Sequence, residues 1–387
     1  MQDTTITKPK KKRRWLPFVF VGINVAVIVI MAISEFGNQD SQSKPFSEVA
    51  RLLGEHWYFI LFALAAFLAV IACETFKYFT LIRACTGKRM LRESFEVAVL
   101  GKYYDFITPS GTGGQPFQMY HLKKSGLSAG ISGSLPIMGF FTNQMSFIVV
   151  AAVLFVWRSA AIETAAAMKV AAMKVAAIFG LVCYSLVPMI FVFFSIFPKP
   201  TRVIVSGVLR FCSKIHIVKN YDATVNKVFA YFEEYRVNLF FLAKEKFSFI
   251  MAFVFSLIAQ IANASVPFFV LNACGSQAVW IDTVALSFYV YAAVTYIPTP
   301  GNMGVAEGAF YIIFQALSGG VLFWGTLIWR FFTYYMYIIL GLVTVAVTSF
   351  KAKASCQSVE NVHIAQNNAD DASAPDNTKE NDQRQGG

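Results

Sequence analysis

The chain has 387 residues, of which 56% are hydrophobic and only 14% are charged, and its formal net charge is +11. A soluble domain of ordinary composition carries about 25% charged residues, so a soluble globular class is excluded. Several apolar runs reach the roughly 20 residues that a helix needs to cross a bilayer, and they do not alternate like the strands of a membrane β-barrel. The composition therefore predicts an all-α polytopic membrane protein.

The chain ends predict the orientation. Residues 1–14 carry six basic residues and precede an apolar run at about 15–33. This run has spanning length and lacks a clear cleavage site, so we expect a retained helix rather than a signal peptide. Basic segments stay in the cytoplasm, and residues 351–387 have the composition of a disordered cytoplasmic tail. We expect a multi-pass protein of a bacterial-type plasma membrane with both termini cytoplasmic.

Six full transmembrane helices are predicted within a membrane domain at 15–350. They lie at about 15–33, 57–82, 131–157, 175–197, 247–271 and 321–350. The loop at 198–246 has nine Lys/Arg residues and four Asp/Glu residues. We expect this basic loop in the cytoplasm, with two amphipathic helices that lie on the inner leaflet.

Two stretches rich in helix breakers interrupt the pattern, TPSGTGGQ at 108–115 and TPGNMGVAE at 299–307. Each separates two apolar arms that are too short to span a bilayer at about 1.5 Å per residue. We therefore predict two re-entrant helical hairpins, at about 94–124 and 281–317. The charge rule places the first on the cytoplasmic side and the second on the outer side, which gives an inverted repeat like that of many secondary transporters.

Seven ionisable residues fall within the membrane: Glu74, Lys77, Glu96, Lys102, Asp105, Glu307 and Arg330. Each costs at least about 2.5–3.5 kcal/mol at mid-bilayer and needs a physical reason. The spacing of Glu74 and Lys77 permits an ion pair, which we interpret as snorkelling to the interface. Lys102, Asp105 and Glu96 make the first hairpin polar. Either it lies shallow with its charges in water, or these charges contact a headgroup.

Arg330 lies about ten residues into its helix and therefore near the midplane. An ion pair with Glu307, at the start of the second arm of the nearby hairpin, would lower the cost of both charges. Two interpretations stay open. The pair is purely structural, or Arg330 also binds a lipid phosphate, for which its planar guanidinium is suited.

The glycine-rich stretch at 111–114 opens a helix, and its backbone N–H groups could receive a phosphate. The alternative is that small residues allow close helix packing. No Walker motif follows, and no catalytic set stands out. The six cysteines are scattered without a CxxC pair, so we expect neither a metal site nor a cofactor. The basic charge sits beside the apolar runs, and we expect no nucleic-acid partner.

The segment GKYYDFITPSGTGGQPFQMYHLKKSGLSAG at 101–130 resembles the first motif of the lysylphosphatidylglycerol synthase transmembrane-region family, whose members are flippase-like integral membrane proteins. IPTPGNMGVAEGAF at 297–310, with Arg330 downstream, resembles its second motif. The resemblance covers about 15–350. It implies the membrane half of the multiple peptide resistance factor, a lipid translocase that moves aminoacylated phosphatidylglycerol between leaflets and so counters cationic antimicrobial peptides.

The two motifs supply the expected headgroup-binding residues. These are Thr108, Pro109, Gly111, Gly113, Gly114, Gln115, Gln118, Pro300, Gly301, Gly304, Glu307 and Arg330. Gln115 and Gln118 stand where many relatives carry acidic and basic residues, so the headgroup stays open.

The family's aminoacyl transferase activity lies in a separate C-terminal cytosolic domain, and here we expect only a short polar tail. The first alternative function is a phosphatidylglycerol lysyltransferase that uses lysyl-tRNA, or its membrane subunit. The second is an ion-coupled solute transporter. The expected partners are a phospholipid substrate and a separate lipid-modifying synthetase, and the sequence is compatible with an oligomer.

Overall fold

The computed structural model describes residues 29, 33, 44–108, 111, 113–158, 171–214, 221–295, 297, 299, 301–317 and 320–348. Throughout these residues the regular structure is helical, without strands. The predicted first helix at 15–33 lies almost wholly outside the described residues. So do the predicted termini at 1–14 and 351–387, and the site candidates Pro109 and Pro300.

Twelve helices follow one another in the described residues from 44 to 348. They are α1 (Phe46–Glu55), α2 (Trp57–Thr86), α3 (Leu91–Ile107), α4 (Gly114–Lys124), α5 (Ala129–Trp157), α6 (Ala171–Ile196), α7 (Pro198–Lys214), α8 (Tyr221–Lys244), α9 (Lys246–Ala273), α10 (Trp280–Val294), α11 (Val305–Phe314) and α12 (Leu322–Thr348). A short 3₁₀ turn follows α11, and α12 contains a π-helical turn at Phe331–Tyr335.

Four of these helices, α2, α5, α9 and α12, are long and apolar enough to cross a membrane. They coincide with four of the six predicted spans, so the class of polytopic helical membrane protein holds. The predicted span at 175–197 coincides with α6, whose described apolar stretch Ala177–Leu186 is shorter. The counts of six spans and two re-entrant segments stay predictions.

The order of a long helix, two short arms and a second long helix occurs twice, as α2 to α5 and as α9 to α12. The first helices of the two units, α2 and α9, pack along each other. In both units the first short arm packs against the long helix that precedes it. The predicted repeat requires this order, whereas its inversion across a membrane stays a prediction.

The first pair of arms is an antiparallel hairpin. His121 Nε2 near the end of α4 lies 2.9 Å from Glu96 Oε2 near the start of α3. At the other end of the arms, Asp105 Oδ1 accepts the Gly114 N–H at 2.8 Å. The rings of Tyr104 and Phe117 stack between these two contacts, which fixes the register of the arms.

Charged residues gather at the two ends of the helix bundle. At one end the Lys44 N–H donates to the Gly320 carbonyl, and Arg158 Nε after α5 donates to Asp282 Oδ1 at the start of α10 at 2.7 Å. The end where α2 finishes and α3 begins is basic, with Arg83, Lys88, Arg89, Arg92, Lys123 and Lys124. This separation matches the charge pattern used to predict the two sides, and the orientation itself stays a prediction.

An aromatic group in the core positions the middle of α12. Phe310 of α11 stacks on Trp329 of α12 with ring centroids 4.3 Å apart, and on Phe314 at 4.4 Å. All three side chains are buried. Because Trp329 is held in this way, the backbone of the next residue, Arg330, is fixed against the second hairpin.

Candidate functional site

A cavity of about 230 Å³ lies inside the helix bundle. Its wall comes from α2, α3, α5, α6, α9, α10, α11 and α12 and from the turn that joins α10 to α11. Three charged side chains line it: Glu74, Lys102 and Arg330. Five amide side chains join them: Asn143, Gln144, Gln260, Asn263 and Asn302. So many polar groups in an apolar bundle make this cavity the candidate site for a polar ligand.

Arg330 is 7% exposed, and Nε lies 2.7 Å from Glu307 Oε1. The predicted ion pair is therefore present. Its geometry is that of two close charges rather than of an aligned hydrogen bond. The two remaining guanidinium nitrogens donate to the carbonyls of Gly301 and Asn302 at 3.4 Å. These two hydrogen bonds are long and therefore weak.

Two aromatic rings flank the same guanidinium. Its carbon lies 4.9 Å from the ring centroid of Trp329 and 5.7 Å from that of Tyr334. Cation–π attraction at a desolvated site contributes about 2 kcal/mol or more. The charge of Arg330 is thus stabilised on several sides while the residue still lines the cavity.

The backbone of the turn before α11 places two carbonyls within hydrogen-bonding distance of Arg330. Gly301, Asn302 and Gly304 have positive φ angles of 59°, 55° and 81°, which turn the chain sharply. A Cβ on Gly301 would overlap the ring of Tyr334. Glu307 Oε2 accepts the Gly304 N–H at 2.7 Å, so one carboxylate both caps α11 and pairs with Arg330.

The turn before α4 is instead closed on itself. The Gly113 N–H donates to Thr108 Oγ1 at 2.9 Å, and the Gly114 N–H donates to Asp105 Oδ1 at 2.8 Å. A Cβ on Gly114 would overlap the Asp105 carboxylate. The two N–H groups expected to receive a phosphate already have acceptors within the turn.

The structure places the first-motif candidates away from the cavity wall. Among the described residues, Thr108, Gly111, Gly113, Gly114, Gln115 and Gln118 do not line it. Gln118 donates to the Val97 carbonyl at 3.1 Å and accepts from the Tyr78 hydroxyl at 3.2 Å, so it ties α4 to α3 and α2. The first hairpin reaches the cavity through Lys102 and Phe106 of α3. Headgroup contact by the first turn stays a prediction.

The snorkelling interpretation of Glu74 and Lys77 is wrong. The pair exists, with Lys77 Nζ 2.6 Å from Glu74 Oε2, but Lys77 is 1% exposed and Glu74 is 6% exposed. The cause is the packing of α2 against α3 and α9, which encloses the pair within the bundle. The mutual attraction and the hydrogen bond offset part of the cost of desolvation.

Sequence reasoning missed the amides at 143, 144, 260 and 263 because, outside the two motifs, it weighed only charged residues. Gln260 Nε2 donates to Asn143 Oδ1 at 3.3 Å, and Asn263 Nδ2 donates to the Tyr291 hydroxyl at 3.1 Å. Gln260 and Asn263 are three residues apart on α9, so they share one face of that helix. Amides at this spacing in an apolar run were the signal that could have found them.

These features define a polytopic helical membrane protein with a polar cavity. Most of the cavity wall comes from two units, each with a pair of short helices between two long ones. The family model "Lysylphosphatidylglycerol synthase TM region" matches residues 15–341, and the chain belongs to this family. It is similar to a UPF0104 membrane protein of Archaeoglobus fulgidus, with 23% identity over 264 residues. The match covers 67% of this chain and 77% of that protein. The family resemblance of the two motifs is confirmed.

Proposed function

We propose that the chain translocates a phospholipid between the leaflets of a plasma membrane. Arg330 carries the proposal, because a buried guanidinium lies in the wall of a polar cavity. Membership of a family named for a lipid synthase supports a role with membrane lipids. The same name makes aminoacylated phosphatidylglycerol one candidate substrate, and resistance to cationic peptides would follow from its delivery to the outer leaflet.

The size of the cavity suits a headgroup rather than a whole lipid. Its volume of about 230 Å³ lies below the roughly 300–1,000 Å³ of pockets that enclose drug-sized ligands. In the proposed mechanism the headgroup occupies the cavity and the acyl chains stay in the bilayer. The hydrocarbon then never meets an unpaired phosphate, whose burial would be very costly.

The contacts of Arg330 allow an exchange of partners. Its two hydrogen bonds to the Gly301 and Asn302 carbonyls measure 3.4 Å, whereas charge-assisted hydrogen bonds to phosphate oxygens are shorter and stronger. A phosphate in the cavity would therefore replace the two carbonyls without separating Arg330 from Glu307. Release of the lipid would restore the turn.

Translocation can be measured in proteoliposomes that contain phosphatidylglycerol with a fluorescent acyl chain. A membrane-impermeant quencher reports the fraction in the outer leaflet. We expect the wild type to move the lipid, Arg330→Gln to lose this activity, and Arg51→Gln to keep it. Arg51 is a matched control because it lies exposed on α1, paired with Glu55. Folded wild-type protein that moves no phospholipid would refute the proposal.

The proposed topology has the first hairpin enter from the cytoplasm and the second from outside. The exposed Gln277, between α9 and α10, then faces outwards, and the exposed Lys124, at the end of α4, faces the cytoplasm. Single cysteines at these positions in a background without native cysteines should react with an impermeant maleimide in intact cells only at Gln277. The reverse labelling would overturn the topology.

The cavity also suits a small solute, which keeps an ion-coupled solute transporter as the rival. Soluble glycerol phosphate would then raise the melting temperature of the protein as much as a short-chain phosphatidylglycerol does. Transfer of lysine from lysyl-tRNA to phosphatidylglycerol by the purified chain would instead support the lysyltransferase alternative.

A further inference from the structure

The charges of the cavity wall are unequally compensated. Glu74 is paired with Lys77 at 2.6 Å, and Arg330 is paired with Glu307 at 2.7 Å. The ammonium of Lys102 forms no salt bridge within 4.0 Å among the described residues, although Glu74 and Asp105 lie near enough to attract it. Asp105 follows three residues later, but it accepts the Gly114 N–H and does not line the cavity. One negative charge on a ligand, as on a phosphodiester, would complement Lys102.

The wall offers no spare carboxylate for a cationic headgroup. Glu74 is the carboxylate among the described lining residues, and Lys77 already holds it. A lysyl ester of phosphatidylglycerol carries two ammonium groups. Each would have to leave water for a space in which the described carboxylates are already paired, and the burial of an unpaired charge is strongly unfavourable.

Neutral hydrogen-bonding groups dominate the rest of the wall. Asn143 and Gln144 come from α5, and Gln260 and Asn263 come from α9. Each amide has two donors and one carbonyl acceptor, while a hydroxyl can both donate and accept. The Gln260–Asn143 and Asn263–Tyr291 hydrogen bonds use one amide donor each. The remaining donors of Asn143, Gln260 and Asn263 match hydroxyl groups on a ligand.

We propose that the cavity selects an anionic phospholipid with a neutral, hydroxyl-bearing headgroup, such as the glycerol of phosphatidylglycerol, over a lysylated one. Lys102 and Arg330 bind the phosphate, and the amides of α5 and α9 bind the hydroxyl groups. The selectivity rests on the proposed translocation, because it names the substrate class of the same site.

Binding to the full chain in detergent tests the selectivity directly. The probes are dihexanoyl forms of phosphatidylglycerol, lysyl-phosphatidylglycerol and phosphatidylethanolamine, titrated while the melting temperature is followed. We expect phosphatidylglycerol to bind about tenfold more tightly than either other lipid, since one buried polar group left without a partner corresponds to roughly this ratio. Equal or tighter binding of the lysylated lipid would overturn the selectivity.

A charge placed in the wall should reverse the preference. Gln260→Glu adds a carboxylate beside the headgroup, and we expect about a tenfold shift of relative affinity towards the lysylated lipid. Gln277→Glu is the matched control, because the same change is made at an exposed position outside the cavity. Asn263→Asp repeats the test at a second position if Gln260→Glu does not fold. A preference unchanged in both folded variants would contradict the proposal.

The translocation assay on the same proteins separates the two proposals. Movement of phosphatidylglycerol and lysyl-phosphatidylglycerol at equal rates would overturn the selectivity and leave translocation standing. Selective binding of phosphatidylglycerol without movement of any lipid would overturn translocation and leave the selectivity standing. Folded protein that binds none of the three lipids would overturn both.

Discussion

The two hairpins carry the same signature of proline and glycine but use it in opposite ways. The turn at 108–114 directs two N–H groups onto Thr108 and Asp105 of its own hairpin. In the turn at 299–305, the carbonyls of Gly301 and Asn302 instead accept hydrogen bonds from Arg330 of another helix. Both turns have local hydrogen bonds, such as the Gly304 N–H to Glu307 Oε2 at 2.7 Å in the second. Only the second is also completed by a distant cation.

This difference separates a structural turn from a functional one. A turn whose polar groups are satisfied locally keeps its shape whatever occupies the cavity. A turn whose carbonyls also make weak contacts to a lining arginine changes those hydrogen bonds when a ligand competes for the arginine. We therefore expect substitutions at the second hairpin to affect both stability and transport, and those at the first turn to affect mainly stability.

The largest effect is expected from Glu307→Gln, which leaves the Arg330 cation buried without its carboxylate. Removal of one partner of a buried ion pair costs about 3–5 kcal/mol of unfolding free energy. Denaturant unfolding in micelles, followed by tryptophan fluorescence, should show this loss. Glu307→Gln/Arg330→Gln should recover part of it. A double variant less stable than either single variant would contradict the pairing.

The next largest loss of stability is expected from Gly301→Ala, and it should exceed the loss from Gly111→Ala. Both glycines have φ near +60°, which costs an alanine about 1–2 kcal/mol. At Gly301 the new methyl group also overlaps the Tyr334 ring, whereas at Gly111 its nearest neighbour is Asp105 Cβ at 3.8 Å. Overpacking adds about 1–3 kcal/mol. Equal losses of melting temperature would argue against the tight fit of the second turn.

Asp105→Ala tests the closure of the first turn. It removes the acceptor of the Gly114 N–H at the start of α4. By analogy with a lost helix N-cap, the loss of this acceptor costs about 1 kcal/mol. Asp105→Asn keeps an oxygen that can accept and should retain most of the stability. If both variants lose transport while their melting temperatures stay unchanged, the first turn takes part in binding and the comparison fails.

The smallest loss of stability is expected from breaking the ion pair between Arg158, after α5, and Asp282, at the start of α10. Their side chains are 32% and 21% exposed, and ion pairs reached by solvent contribute about 0.2–1 kcal/mol. Asp282→Asn should lower the melting temperature slightly at low salt and not at high salt, because salt screens the pair. A loss of stability as large as that of Glu307→Gln would contradict the small contribution expected for the Arg158–Asp282 ion pair.

The sequence predicted both breaks in the helices and the ion pair of Arg330 with Glu307, because helix breakers and isolated charges in apolar runs are local signals. It did not predict that Gln118 ties three helices together or that Lys77 is enclosed. Those outcomes depend on which helices pack around α2, and some of these helices are distant from α2 in the sequence. The amides at 143, 144, 260 and 263 share one wall only after α5 and α9 pack.

The position of Arg330 also constrains how the protein is made. An arginine at the centre of a helix opposes insertion by about 2.5–3.5 kcal/mol, while each Leu, Ile, Phe or Val favours it by only about 0.3–0.6 kcal/mol. The neutralising Glu307 lies on α11, and the arms α10 and α11, with 15 and 10 residues, are too short to span alone. We therefore expect α10, α11 and α12 to leave the translocon together during biosynthesis, so that carboxylate and guanidinium meet before either reaches lipid.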